Sequence, residues 1–154
     1  MLKINVDNTN KNFKLKKNSI KKLIRFVLTD QKCSEGEIGI VFIDHDFMVE
    51  LNNKFLQKNS TTDVLSFPLG ESNSSLMGEI YVNLDKAAEQ AAEYNVALVK
   101  EMYRIIIHGL LHLFDYDDQT ITDKQKMTEM EDYYLDVIKR MEFNFHSVII
   151  ERYQ

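Results

Sequence analysis

The segment from Val96 to Phe114 most constrains what this chain can fold into, because apolar side chains cover almost its whole circumference. A helix that is apolar nearly all round is stable only inside a domain, with other elements packed around it. We therefore predict one long buried helix, which carries His108 and His112 in its second half. The apolar residues that cover its circumference include Val99, Met102, Tyr103, Ile105, Ile106, Ile107, Leu110, Leu111, Leu113 and Phe114.

The rest of the chain predicts a sheet with helices packed on it, since short β-branched runs alternate with segments of helical spacing. Strands are expected at 2–6, 37–43, 62–68 and 77–83, and further helices at 15–29, 45–56, 84–95 and 122–141. Asp44 and Asn83 precede two of these helices as N-caps. Thr122 and Gln125 form a capping box before the last helix. An apolar stripe on that helix comprises Met127, Met130, Tyr134, Val137 and Met141.

The order of these elements predicts the topology of the sheet. Helices between the early strands favour parallel pairing with right-handed crossovers. The link from Phe67 to Met77 is too short and too polar to hold a crossover helix, so the last two strands are expected to be antiparallel. We predict a single α+β domain, residues 1–154, with a four-stranded mixed sheet, mostly parallel with one antiparallel strand, and about five helices.

Composition and charge exclude several classes of function. The single cysteine, Cys33, cannot form a disulfide within the chain, which favours an intracellular protein. We find neither a signal peptide nor an apolar run of roughly 18 residues, so a cytoplasmic protein with no membrane partner is expected. The net charge of −5 argues against broad nucleic-acid binding, and no DNA partner is expected. The lysines of the 15–29 helix are interpreted as a solvated face.

His108 and His112 stand four residues apart, which brings both imidazoles to one face of the buried helix. Metal-binding helices use this spacing, and a metal would satisfy two side chains that are otherwise costly to bury. A catalytic zinc needs at least one more protein ligand, for which Asp115, Asp117 and Asp118 are the candidates. Asp115 would serve if the helix continued. Asp118 would serve if the chain turned at 115, where aspartate tolerates a left-handed conformation.

The residue after the first histidine is Gly109, whereas zinc peptidases with the H-E-x-x-H pattern carry a glutamate base there. This difference disfavours a zinc peptidase. A glycine at this position is expected to leave open space near the metal.

Three stretches of this sequence resemble a known family. "HGLLHLFDYDD" resembles the H-G-x-L-H-L-x-G-Y-D-H signature of the YbeY family of bacterial metal-dependent endoribonucleases. "LNNKFLQKNSTTDVLSFP" resembles the L-N-x-x-Y-R-x-K-D-x-P-T-D-V-L-S-F-P block of that family, and "MGEIYVN" resembles its L-G-D-I-x-I strand. The likeness covers roughly residues 37–140, with the motifs in the same order and spacing.

The resemblance implies a zinc-dependent, single-strand-specific endoribonuclease with one zinc ion per chain, held by His108, His112 and Asp118. It further implies action in 16S ribosomal RNA 3′-end maturation and ribosome quality control, with ribosomal RNA and the small subunit as partners. The oligomeric state is left open. This chain departs from the family pattern at the third ligand, where histidine is usual, and at Asp115, where the signature has glycine.

The stretch "LNNKFLQKNSTTDVLSFP" also departs from the family pattern. The arginine that is important for activity in the family falls on Leu56, and a proline falls on Thr61, whereas the lysine is kept as Lys58. Lys58 and Lys54 are therefore the candidates to neutralise a phosphate, and Glu79 is a candidate base. Ser66 and Asp63 are expected to support the site, and His45 and His146 are expected to be surface residues.

Two alternatives to the endoribonuclease stay open. One is a ribosome-assembly factor whose metal is mainly structural, which the loss of the arginine favours. The other is a metal-dependent hydrolase of a peptide or amide. The glutamate that would favour it is absent, because Gly109 follows His108.

Overall fold

The computed structural model describes residues 1–70, 75–141 and 148–151, and within them six strands and five helices follow one another along the chain. In chain order these elements are β1 (Leu2–Asn8), β2 (Phe13–Leu15), α1 (Lys17–Asp30), β3 (Gly36–Ile43), α2 (His45–Leu56), β4 (Val64–Pro68), β5 (Leu76–Asn83), α3 (Leu84–Tyr94), α4 (Leu98–Leu113), α5 (Ile121–Arg140) and β6 (Ile149–Glu151).

The main sheet contains four strands in the order β1-β3-β5-β4. Strands β1, β3 and β5 run parallel. Strand β4 pairs antiparallel with β5, in a register that sets Phe67 opposite Glu79. The predicted α+β domain with a mixed sheet and one antiparallel pair is confirmed.

A second sheet, formed by β2 and β6, was not predicted. Its two strands are three residues long and pair antiparallel, with Lys14 opposite Ile150. Strands this short carry almost no periodic signal, and Leu15 was assigned to the start of the first helix. The burial of Phe13, which is 3% exposed, ties this small sheet to the core.

The two faces of the main sheet carry different helices. On one face, Ile40, Phe42 and Ile80 join the main core together with the apolar residues of α1 and α4. On the other face, Val41 and Tyr81 pack with Met48 of α2 in a smaller cluster. Side chains alternate between the two faces along each strand. A strand residue can therefore contact α4 only if its side chain lies on the face of the sheet that carries α1 and α4.

Side-chain caps fix the beginnings of three helices. Asp44 accepts a hydrogen bond from the Phe47 amide, and Asn83 accepts one from the Lys86 amide, as predicted. The predicted cap of the last helix is wrong by two residues. The Thr120 hydroxyl, not that of Thr122, accepts from the third amide of α5 at 3.0 Å.

The apolar stripe of α5 also differs from its prediction near the end of the helix. Met127 and Tyr134 are buried as expected, but Met141 lies beyond α5 and is 52% exposed. Ile138 and Glu131 are the buried residues that complete the stripe. Among the described residues, no helix has the length and apolar character needed to cross a membrane.

Candidate metal centre

Helix α4 lies against strand β4 at Gly109, where its backbone carries no side chain. The Gly109 carbonyl accepts a 3.0 Å hydrogen bond from Oγ of Ser66. A Cβ atom at Gly109 would lie 3.0 Å from Cγ2 of Ile80 and 3.2 Å from Cγ2 of Val64. The expectation of open space beside the metal at this residue is therefore wrong, because side chains of the sheet fill it. The glycine instead lets α4 approach the sheet closely, which fixes the helix that carries both histidines.

Two imidazoles and one carboxylate converge at the C-terminal end of α4. Nε2 of His108 lies 3.0 Å from Nε2 of His112. Oδ2 of Asp118 lies 3.5 Å from each of these two nitrogens. The three potential ligand atoms all lie within 4.8 Å of one another. The histidine side chains are 22% and 30% exposed, so an ion can reach the cluster from solvent.

The turn that brings Asp118 back to the helix is made at Asp115. Helix α4 ends at Leu113, and Asp115 has a φ of +67°, in the left-handed region. The Asp115 amide donates to the carbonyl of His112 at 3.1 Å, which closes the helix end. The predicted turn is therefore present. Asp115 and Asp117 are both exposed and stay outside the cluster.

A buried carboxylate that the sequence analysis missed supports the first histidine. Oε2 of Glu131, on α5, lies 2.8 Å from Nδ1 of His108. Glu131 is only 5% exposed. A ligand histidine commonly donates its second ring nitrogen to such a partner, which fixes the ring orientation. One signal in the sequence points to this residue, since Glu131 stands within the apolar stripe of α5, between Met127 and Tyr134.

Arg104 holds the same carboxylate from the other side. Nη1 of Arg104 lies 3.3 Å from Oε1 of Glu131, while Nε and Nη2 both donate to the carboxylate of Glu101. Nε2 of Gln90 donates to Glu101 at 2.9 Å and to Asp63 at 3.3 Å. The hydrogen bond with Glu101 is the main cause that raises the pKa of Arg104, against the opposing effect of burial. Arg104 is therefore a permanent cation within this network.

The electrostatic surroundings of His108 favour its protonated form. Burial by itself lowers the pKa of an imidazole, because it disfavours the charged ring. The hydrogen bond to Glu131 and the negative charges of Glu131, Asp118 and Asp63 outweigh this effect and raise the pKa of His108 above its usual value. Protons and a metal ion compete for the same nitrogen, so acid is expected to weaken metal binding.

Glu79, the candidate base, lies on the face of the sheet that is turned away from α4. Its neighbours Gly78 and Ile80 meet α4, at Leu113 and Gly109 respectively. By strand alternation Glu79 points to the opposite face. There it accepts a 2.9 Å hydrogen bond from the Tyr81 hydroxyl. The structure therefore does not bring Glu79 to the histidine cluster.

The lysines proposed to neutralise a phosphate lie at and just beyond the C-terminal end of α2. Lys54 and Lys58 are exposed, and the ammonium of Lys54 lies 5.3 Å from the ring centroid of Phe55. Leu56, the last residue of α2, is 46% exposed. In the part of the chain that the structure describes, neither lysine forms an ion pair with the cluster.

His45 is better connected than the sequence analysis expected. The sequence predicts a surface residue, but His45 is half-buried and its Nε2 lies 2.9 Å from Oε1 of Glu89. Its Nδ1 lies 3.1 Å from Nδ2 of Asn83, which also donates to Thr61 at 2.9 Å. This network anchors the segment between α2 and β4, at the position where the family motif has proline. His146 lies outside the described residues.

Two imidazole nitrogens and a carboxylate oxygen form the three-ligand set of catalytic metal sites, so the cluster fits a divalent transition metal. Two histidines on a buried helix and an aspartate just beyond its end present the ligand set that metal-dependent hydrolases use.

Comparisons with known proteins place the chain in a family. The sequence profile of the family Endoribonuclease YbeY matches residues 5–139. The chain is 38% identical to Endoribonuclease YbeY of Salinibacter ruber over 128 residues, covering 78% of this chain and 82% of that protein. It is 37% identical to Endoribonuclease YbeY of Thermodesulfovibrio yellowstonii over 134 residues, covering 78% and 84% of the two chains. The chain therefore belongs to the YbeY endoribonuclease family, and the predicted family is confirmed.

A solved structure supports the same relationship. The solution structure of TM1509 from Thermotoga maritima is similar to this chain with a TM-score of 0.64 and 27% sequence identity. The match covers 90% of this chain and 91% of that one. The likeness therefore extends over most of both chains and is not confined to the histidine motif.

Proposed function

We propose that this protein is a zinc-dependent, single-strand-specific endoribonuclease that acts in 16S ribosomal RNA 3′-end maturation and in ribosome quality control. Membership of the YbeY endoribonuclease family supports cleavage of RNA. The convergence of His108, His112 and Asp118 is the observation that carries the metal-dependent chemistry. Ribosomal RNA and the small subunit are the proposed partners, and the cytoplasm is the proposed location.

The donor set supports zinc as the ion. His108, His112 and Asp118 would hold one ion per chain through two nitrogens and one oxygen, which leaves a fourth coordination position for water or substrate. A bound zinc ion supplies Lewis acidity toward a phosphoryl oxygen and lowers the pKa of its water to about 7. The left-handed turn at Asp115 keeps the carboxylate of Asp118 against the two imidazoles.

Positive charge near the phosphate must come from a residue other than the family arginine. Leu56 occupies that position and offers no donor to a phosphate. Lys58 and Lys54, near the end of the same helix, are the proposed substitutes. An ammonium acts as a point charge and lacks the bidentate fork of a guanidinium, so lower intrinsic activity is expected than in arginine-bearing relatives.

RNA binding by a chain of net charge −5 must depend on a local basic surface. We assign this role to Lys58 and to the basic residues of α1. The affinity for RNA is therefore expected to fall as the salt concentration rises, because each phosphate contact releases counterions.

Cleavage of a single-stranded ribosomal RNA fragment tests this function. Wild type should cleave the fragment, spare the same sequence in a duplex, and lose activity with a chelator. His108→Ala should be inactive, whereas His45→Ala, which removes an imidazole outside the cluster, should retain most activity. Leu56→Arg should cleave faster. Equal cleavage by all variants would indicate a contaminating nuclease and contradict the proposal.

One specific observation favours a second candidate, a ribosome-assembly factor whose metal is structural. Leu56 removes a donor that the transition state of phosphodiester cleavage would use, and loss of one such donor typically costs about 10²-fold or more. This candidate predicts that purified wild type binds zinc and small-subunit RNA but does not cleave it. Hydrolysis of peptides or amides finds no comparable support, because Gly109 replaces the glutamate of the zinc peptidases.

A further inference from the structure

The carboxylate of Glu131 has a different partner on each oxygen. Oε1 lies 3.3 Å from Nη1 of Arg104, and Oε2 lies 2.8 Å from Nδ1 of His108. The side chain of Glu131 is 6% exposed, so water does not readily replace either partner. A buried carboxylate with two fixed partners holds both in one geometry.

We propose, on the basis of the metal centre proposed above, that Glu131 is a positioning residue that fixes His108 in the tautomer with the proton on Nδ1. An ionised carboxylate can only accept hydrogen bonds, so Nδ1 must be the donor in this contact. A neutral ring protonated on Nδ1 has its lone pair on Nε2. Nε2 is the atom that faces His112 and Asp118.

Arg104 holds the carboxylate of Glu131 in place through the contact between Nη1 and Oε1. A guanidinium has only donors, and Arg104 directs Nη1 to Glu131 while its other nitrogens bind Glu101. Glu101 is itself 2% exposed and also receives the amide of Gln90. Arg104 thus bridges two buried carboxylates, and the network joins α3, α4 and α5.

Glutamine at position 131 has nearly the same size but reverses the hydrogen bond to the ring. Its amide oxygen must face Arg104, because the amide nitrogen cannot face another donor. The amide nitrogen then points at Nδ1 of His108 and donates to it. This contact favours the tautomer with the proton on Nε2. In that tautomer Nε2 has no lone pair to offer a metal.

The experiment compares wild type, Glu131→Gln and the matched control Glu129→Gln, whose residue is exposed on the same helix. In metal-free protein at alkaline pH, nitrogen NMR of the His108 ring should show the proton on Nδ1 in wild type and the control, and on Nε2 in Glu131→Gln. Competition with a chromogenic chelator should show zinc binding weakened about 10- to 100-fold in Glu131→Gln and unchanged in the control.

The outcomes separate this proposal from the metal centre itself. A wild-type His108 ring protonated on Nε2 would overturn the positioning role. This NMR measurement uses wild type alone, so it does not depend on whether a variant folds. Zinc bound equally by wild type and Glu131→Gln would overturn it while leaving the metal centre intact. Absence of zinc binding by wild type would overturn the metal centre and the positioning role with it.

Discussion

Oδ2 of Asp118 lies 3.5 Å from Nε2 of His112, although the end of helix α4 separates the two residues. This proximity depends on Asp115, whose φ of +67° reverses the chain directly after the helix. Had the helix continued, Asp115 would lie on the histidine face instead. The backbone at one residue therefore decides which of three neighbouring aspartates reaches the cluster.

Removal of Asp118 is expected to cost metal affinity, because it supplies the only carboxylate oxygen in the described cluster. Asp118→Ala should lower zinc affinity, whereas Asp118→His should retain or tighten it, since imidazole is a good zinc ligand. Competition with a chelator measures these affinities. The matched controls Asp115→Ala and Asp117→Ala should bind zinc as wild type does. Loss of zinc in Asp115→Ala together with full binding by Asp118→Ala would show that Asp115, and not Asp118, is the third ligand.

The metal content of the purified protein is expected to depend on the histidine pair. His112→Ala should lose about one equivalent of transition metal per chain, because only two of the three protein ligands remain. Elemental analysis of both proteins measures this. His45→Ala, which alters a half-buried imidazole at the start of α2, should keep its metal. Unchanged metal content in His112→Ala would contradict the assignment.

Gly109→Ala is expected to destabilise the fold through a steric clash. The added Cβ would lie 3.0 Å from Cγ2 of Ile80 and 3.1 Å from Oγ of Ser66, so these tightly packed side chains of the sheet would have to shift. Overpacking of this kind typically costs about 1–3 kcal/mol of unfolding free energy. Urea denaturation measures the change.

Gly39→Ala is the matched control for that experiment. Its Cβ would find its nearest neighbour, Cγ of Glu79, at 3.8 Å, which is an ordinary contact. Equal stability losses in the two variants would show that close packing of α4 on the sheet is not the reason for glycine at 109.

Much of the fold could be predicted from local signals in the sequence. Asp44 and Asn83 were identified as caps because a cap depends on residues within one turn, and both form the expected bonds. The buried helix followed from apolar residues on all its sides. The sequence favours Thr122 over Thr120 because Gln125 completes a capping box with Thr122, whereas Asp123 is the third residue after Thr120. The path of the turn after α4 places the cap at Thr120 instead.

The site could be predicted only where its members lie close together in sequence. His108, His112 and Asp118 span a short stretch, so their spacing and the family resemblance pointed to one cluster. Glu131 meets His108 across 23 positions of the chain, and Gln90 meets Asp63 across 27. Contacts of this kind depend on how helices pack. The local pattern shows only that Glu131 is a charged residue within an apolar stripe, and does not show which side chain it meets. The face occupied by Glu79 likewise required the strand register.

Stability is expected to fall at alkaline pH because of buried tyrosines. Burial raises the pKa of Tyr103 to about 12. A phenol whose pKa is raised on folding stabilises the protein fully below the unfolded value of about 10, and this contribution is lost as the pH rises through the folded pKa. Between the two values, the free energy of unfolding should fall by about 1.4 kcal/mol per pH unit for such a phenol.

Urea denaturation at increasing pH measures this loss. Tyr103→Phe should show a shallower decline than wild type above about pH 10. The matched control Tyr133→Phe, at a residue that is 45% exposed, should decline as wild type does. An identical pH dependence in all three proteins would contradict the role of burial at Tyr103.

We propose that one metal ion, held by His108, His112 and Asp118, is required for cleavage of single-stranded RNA. The most direct test adds zinc stepwise to metal-free wild type and measures the single-turnover cleavage rate of a ribosomal RNA fragment after each addition. The rate should be near zero without metal, rise in proportion to added zinc, and level off at one equivalent per chain, while His108→Ala stays inactive throughout. Full cleavage by the metal-free protein, or a rate that does not respond to zinc or to the loss of His108, would contradict the claim.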